Sequence, residues 1–121
     1  MKKGILLISH GSRSDTAYEE VMGLGNELQK LWPDIIMQTA FLEINSPSIP
    51  EGIGHLSEKG VTDLQVLLNF LNSGRHVLEH IPQIVEEACE SKNIKYQISK
   101  HIGAHPDLPK LFFDVAGLEN K

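Results

Sequence analysis

The sequence predicts an α/β fold: a four-stranded parallel sheet in the order 2-1-3-4, with helices on both faces. Three observations carry this expectation. Four short apolar runs alternate with four longer segments of helical spacing, and a βαβαβαβα order calls for a mostly parallel sheet packed between helices. The first and third runs, Ile5-Leu6-Leu7-Ile8 and Val66-Leu67-Leu68, are continuous, as in central parallel strands. The second and fourth, Met37-Gln38-Thr39-Ala40 and Ile94-Lys95-Tyr96-Gln97-Ile98, alternate with polar residues, as edge strands do.

The elements follow in chain order. Gly4 to Ser9 reads as a buried strand. Ser14 and Asp15 are candidate N-caps for a helix whose stripe is Ala17, Val21, Leu24, Leu28 and Leu31, at steps of four and three. Pro33 stops it, and Gly23 and Gly25 suggest close packing on the sheet. Ile35 to Leu42 is the second strand. Ser46 to Lys59 is a helix with Ile49, Ile53 and Leu56 inward and Gly60 as its stop. Val61 to Leu71 holds the third strand. Val77 to Lys92 is a helix with Val77, Ile81, Ile84, Val85 and Ala88 on one face. Ile94 to Ser99 is the fourth strand. Asp107 to Ala116 is the last helix, with Leu108, Leu111, Phe112 and Val115 expected inward.

Composition narrows the function classes. The 121 residues fit one domain, 1–121, and 40% of them are apolar. The net charge of -5, with both signs interspersed, argues against nucleic acid and offers no polybasic segment to a membrane. No run has transmembrane length, and Met1 to Ile8 is too short for a signal peptide. The single cysteine, Cys89, excludes an internal disulfide and a thiolate cluster, so a cytoplasmic location is expected. Six histidines stand against that one cysteine, so any metal would meet nitrogen and oxygen ligands.

Ligands in open parallel sheets bind beyond the carboxyl ends of the strands. The four strand ends are followed by Ser9-His10-Gly11-Ser12-Arg13, Glu43-Ile44-Asn45-Ser46-Pro47, Asn72-Ser73-Gly74-Arg75-His76 and His101-Ile102-Gly103-Ala104-His105-Pro106. Four of the six histidines and an isolated carboxylate therefore share one rim. His10, between an apolar strand and a glycine turn, points to function. Glu43 either acts on a ligand or caps the helix near Ser46. His76 is a ligand or a solvated first-turn residue, and spacing does not separate the two. His80, one turn on, reads as surface, as does His55. His101 and His105 could line the rim, but loop histidines are common. Gly11 and Gly74 precede helix N-termini, where backbone N–H groups and the dipole favour anions, and Arg13 and Arg75 stand beside them.

The residues Leu6-Leu7-Ile8-Ser9-His10-Gly11-Ser12-Arg13, Phe41-Leu42-Glu43, Gly74-Arg75-His76-Val77 with Ile81-Pro82, and Gly103-Ala104-His105-Pro106 together resemble the class II tetrapyrrole chelatases, and most of all the short CbiX/SirB-type sirohydrochlorin chelatases. The resemblance runs nearly the full length. It implies a flavodoxin-like chelatase half-domain, with His10, Glu43 and His76 as catalytic residues, His10 and His76 as metal ligands, and Gly11, Ser12, Arg13, Ser73, Gly74, Arg75 and His105 on the substrate side. His80 stands where relatives often carry an aspartate. Long relatives hold two halves in one chain and short ones pair, so a homodimer is implied. A wide, flat tetrapyrrole agrees with this, because one shallow rim offers a floor without a roof.

The implied chemistry suits these side chains. Inserting a divalent ion removes two pyrrole protons, and imidazole, with a pKa of about 6.5, is a suitable acceptor. Imidazole and carboxylate bind cobalt, nickel or iron without thiolate. The metal is a substrate, and no organic cofactor is needed. Arg13, Arg75 and the helix N-termini suit the substrate's carboxylates. The product could enter cobalamin, sirohaem or nickel tetrapyrrole synthesis. The same ligands would serve a non-catalytic metal or tetrapyrrole carrier or sensor. A histidine phosphatase would need arginine where Ser9 stands, and a receiver domain would need aspartate where Asn72 and Ser73 stand.

Overall fold

The protein is described by a computed structural model covering residues 2–118, without the side chains of residues 75–78. Strands β1 (Lys3–Ser9), β2 (Ile36–Phe41), β3 (Asp63–Leu68) and β4 (Lys95–His101) form a parallel sheet ordered β2-β1-β3-β4, as the sequence predicts. β1 lies against β3 with Lys3 opposite Asp63 and Ile8 opposite Leu68. Helices α1 (Asp15–Leu31), α2 (Ile49–Glu58), α3 (Arg75–Lys92) and α4 (Leu108–Ala116) follow the four strands in turn, and a 3₁₀ turn (Ile102–Ala104) precedes α4. Among the described residues no helix is long and apolar enough to cross a membrane.

The core occupies one face of the sheet. Leu6, Ile8, Val66 and Leu68 point there and are buried under Ile53 and Leu56 of α2 and Ile81 and Val85 of α3. α1 lies on the other face. Its buried Gly25 permits that approach, because a Cβ there would fall 2.6 Å from Thr39 Cγ2; Gly23 has no such neighbour. The sequence expectation of close packing thus holds for Gly25 alone.

Side-chain caps set the starts of α1 and α2. Ser14 caps α1, its Oγ accepting the Ala17 N–H at 3.2 Å. α2 begins three residues after Ser46. Phe41 N–H donates to the Pro47 carbonyl, which keeps that segment extended beside β2, and Ser48 then forms a capping box with Glu51. α3 begins at Arg75, two residues before the start expected at Val77.

The last helix corrects the sequence reading. Leu111, Phe112 and Val115 were expected to face inward, but all three are exposed and Leu108 is only half-buried. After β4 the 3₁₀ turn and His105-Pro106 redirect the chain, so that α4 packs chiefly against that turn and stands off the sheet.

Candidate functional site

The carboxyl ends of β1 and β2 are neighbours, and the loops leaving them stay hydrogen-bonded. Leu42 N–H donates to the Ser9 carbonyl at 2.9 Å and Glu43 N–H to the His10 carbonyl at 3.0 Å. Gly11 makes this approach possible. Its φ is +112°, and a Cβ would lie 1.9 Å from the Glu43 carbonyl oxygen, so no other residue fits without displacing the backbone. The Ser12 N–H donates to Asn45 Oδ1 at 2.7 Å, which locks the second loop to the first. Between Glu43 and Asn45, Ile44 has a left-handed backbone, φ 72°, uncommon for a β-branched residue.

This scaffold sets His10 Nε2 2.7 Å from Glu43 Oε1, a hydrogen bond across which the two groups share one proton. Both side chains are more than half exposed, at 53% and 59%, so the pair is open to a ligand. The Phe70 ring flanks His10, centroids 6.5 Å apart. Below the pair, Asn69 Nδ2 donates to the buried Ser9 Oγ at 2.9 Å, and the Asn69 N–H donates to the Ile8 carbonyl at 2.8 Å. An open cleft of about 230 Å³ runs beside His10, lined by Ser9, Gly11, Tyr18, Phe41, Asn45 and Asn69.

The residues expected from sequence fall into three groups. His10, Glu43, Gly11 and Ser12 converge. Ser12 is engaged structurally, since its N–H is taken by Asn45 and its Oγ accepts the Ser14 N–H; Arg13 is exposed on the same loop. Ser73 and Gly74 lie exposed in the loop that opens α3. The side chains of Arg75 and His76 lie outside the described residues; their backbone forms the first turn of α3. His105 is exposed before α4, its Nδ1 accepting the Asp107 N–H at 3.0 Å, a local turn contact. Its loop is fixed by Gly103, whose N–H donates to the Phe70 carbonyl and whose Cβ would lie 1.7 Å from the Leu71 oxygen. Glu43 does not cap α2, because Ser48 does.

Among the described residues no three His, Cys, Asp or Glu side chains could together hold a metal ion. The His10–Glu43 pair supplies one nitrogen and one oxygen donor. Such a pair can share a proton, or give up that proton and hold a divalent ion between the same lone pairs. Asn45, Asn69 and Phe70 were not singled out from sequence. Asn69 and Phe70 read as a continuation of β3, and the role of Asn45 depends on a neighbouring loop.

A family model described as CbiX matches residues 4–116. The chain is 33% identical to the sirohydrochlorin cobaltochelatase of Methanococcoides burtonii, with 95% of each chain covered. It superposes on a CbiX protein of Marinobacter aquaeolei with a TM-score of 0.83 and 23% identity, covering 95% of this chain and 94% of that one. It also superposes on SirB of Bacillus subtilis subspecies spizizenii, solved in complex with cobalt, with a TM-score of 0.87 and 24% identity. There 97% of this chain covers 50% of the larger protein.

Proposed function

Since this chain belongs to the CbiX family, we propose that it is a sirohydrochlorin chelatase, inserting a divalent metal ion into the tetrapyrrole with loss of two pyrrole protons. The observation that carries the reading is the open His10–Glu43 pair at 2.7 Å on the strand-end rim. Cobalt, nickel and iron all suit its nitrogen and oxygen donors.

The pair gives the reaction a simple proton balance. The incoming ion displaces the proton shared by His10 Nε2 and Glu43 Oε1, and that proton leaves to solvent. Sirohydrochlorin then docks over the rim, its carboxylates toward Arg13, the Gly74 turn, Arg75 and His105. As the ion moves to the ring nitrogens, the imidazole and carboxylate regain lone pairs and accept the departing pyrrole protons. Solvent takes up one of them and the other restores the shared proton, so the pair returns to its starting state and two protons are released for each ion inserted. His76, in the first turn of α3, completes the metal shell in this reading. An incomplete ligand set is an advantage, because the ion must be passed on. No organic cofactor takes part. Two copies of the chain face each other across the substrate, since a small-molecule site usually buries most of its ligand. A cytoplasmic location agrees with a chain whose one cysteine is a free thiol.

Purified protein mixed with sirohydrochlorin and cobalt(II), followed by absorbance, tests the reading. The metallated chromophore should appear at a rate proportional to protein. Tight binding of the tetrapyrrole without turnover would make the protein a carrier instead.

A further inference from the structure

The carboxylate of the His10–Glu43 pair rides on a strained turn. The Asn45 N–H donates to the Glu43 carbonyl at 2.8 Å, closing a γ-turn with Ile44 at its centre. The Ile44 φ of 72° belongs to the rare form of that turn, and a β-branched residue adopts it less readily still. Such a backbone persists only where its surroundings over-determine it. The Ile44 side chain gives no support, because it is 58% exposed. The anchors come from the facing loop. On one side of the turn, the Glu43 N–H reaches the His10 carbonyl, and the Glu43 carbonyl sits against Gly11. On the other side, the half-buried Asn45 side chain accepts the Ser12 N–H at 2.7 Å. Residues 43 and 45 are thus tied to residues 10 and 12, one on each side of the strained position.

We propose that Asn45 is a positioning residue for metal capture, holding the Glu43 turn so that carboxylate and imidazole stay at chelating distance. An ion bonded to nitrogen and oxygen at about 2.1 Å, and at a right angle, spaces them roughly 3 Å apart. His10 Nε2 and Glu43 Oε1 stand 2.7 Å apart, so the pair opens only slightly to admit the ion. With the turn released, the exposed Glu43 side chain swings toward solvent, and the ion meets one donor of the pair instead of two. Asparagine suits the task because its amide oxygen accepts the Ser12 bond without placing a second anion in the cleft beside His10. Asn45 acts through Glu43 and is not itself a ligand. This role rests on the metal-binding reading of the pair given above.

Cobalt(II) binding by the full chain, measured by calorimetry without tetrapyrrole, tests it. Asn45→Ala should weaken the affinity about tenfold or more, as when a metal ligand loses its support. Asn45→Asp keeps an oxygen acceptor for the Ser12 N–H and should return the affinity to within a few-fold of wild type. In a Glu43→Ala background there is no carboxylate to place, so Asn45→Ala should cost no further affinity. Equal losses in the two backgrounds would show that Asn45 acts elsewhere, and overturn the proposal. Failure of Asn45→Asp to recover the affinity overturns it too. A merely structural role lowers the urea midpoint of Asn45→Ala and leaves the affinity of the folded protein unchanged, which is a third overturning result. Asn45→Gln moves the amide oxygen by one carbon and gives the same readout if Asn45→Ala does not fold. Cobalt insertion by the wild type is followed separately. Insertion alongside an unweakened Asn45→Ala affinity sinks the positioning role alone, and Asn45-dependent binding without insertion sinks the chelatase reading alone.

Discussion

A hydrogen atom is all that the space between the two site loops allows at residue 11. Gly11→Ala would put a methyl group into the Glu43 carbonyl and impose a side chain on a φ of +112°. The expected result is a loss of about 2 kcal/mol or more, read from the urea midpoint, together with loss of cobalt insertion as His10 and Glu43 separate. His10→Ala should behave differently. Its side chain is half exposed, so the urea midpoint should hold while insertion falls by about a hundredfold or more. Glu43→Gln keeps the size and removes the charge. Metal affinity by calorimetry should drop roughly 10- to 100-fold, and an unchanged affinity would reduce Glu43 to a loop contact. His10 and Glu43 were legible in the sequence because their residue types are conspicuous at strand ends. Asn45 was not. Nothing in Glu43-Ile44-Asn45 reveals that its amide oxygen meets the Ser12 N–H, since that contact depends on two loops separated by a whole helix and strand.

Among the elements, α3 holds a buried titratable thiol. Burial pushes the Cys89 thiol from its ordinary 9.0 up to about 11. The folded state therefore favours the neutral thiol, and this stability is complete below pH 9 and is lost as pH rises through 11. The effect is on the order of 2 kcal/mol. Wild-type urea midpoints should fall over that interval more steeply than those of Cys89→Ala, and parallel curves would show that the thiol is not the cause. Glu51 has the opposite sign. Hydrogen bonding to the Ser48 backbone and then to its hydroxyl lowers its pKa, so the α2 cap is lost only as pH falls through that lowered value. The elements were legible because each helix carries one stripe and each strand one apolar run. Their starts were less so. α2 is delayed because residues 47–48 remain paired with the end of β2, a tertiary contact that spacing does not encode.

At the scale of the molecule, strand order was legible from the contrast between continuous and alternating runs. The seat of α4 was not, because an apolar stripe does not say what a helix packs against. The sheet's order has a further consequence, for the time course of folding. Its centre joins Lys3 to Asp63 and Ile8 to Leu68, so β1 waits for some sixty residues of chain before its inner neighbour exists. Meanwhile only the edge strand β2 can pair with it. Closing so long a loop before any reward arrives slows folding. Refolding after a stopped-flow dilution from urea should accordingly take milliseconds to seconds, as in topologies rich in distant pairings, and a microsecond phase carrying the full amplitude would contradict this. A nascent chain ending before residue 63 would lack the strand that completes its centre, so protection of the β1 amides should begin only once β3 has been made.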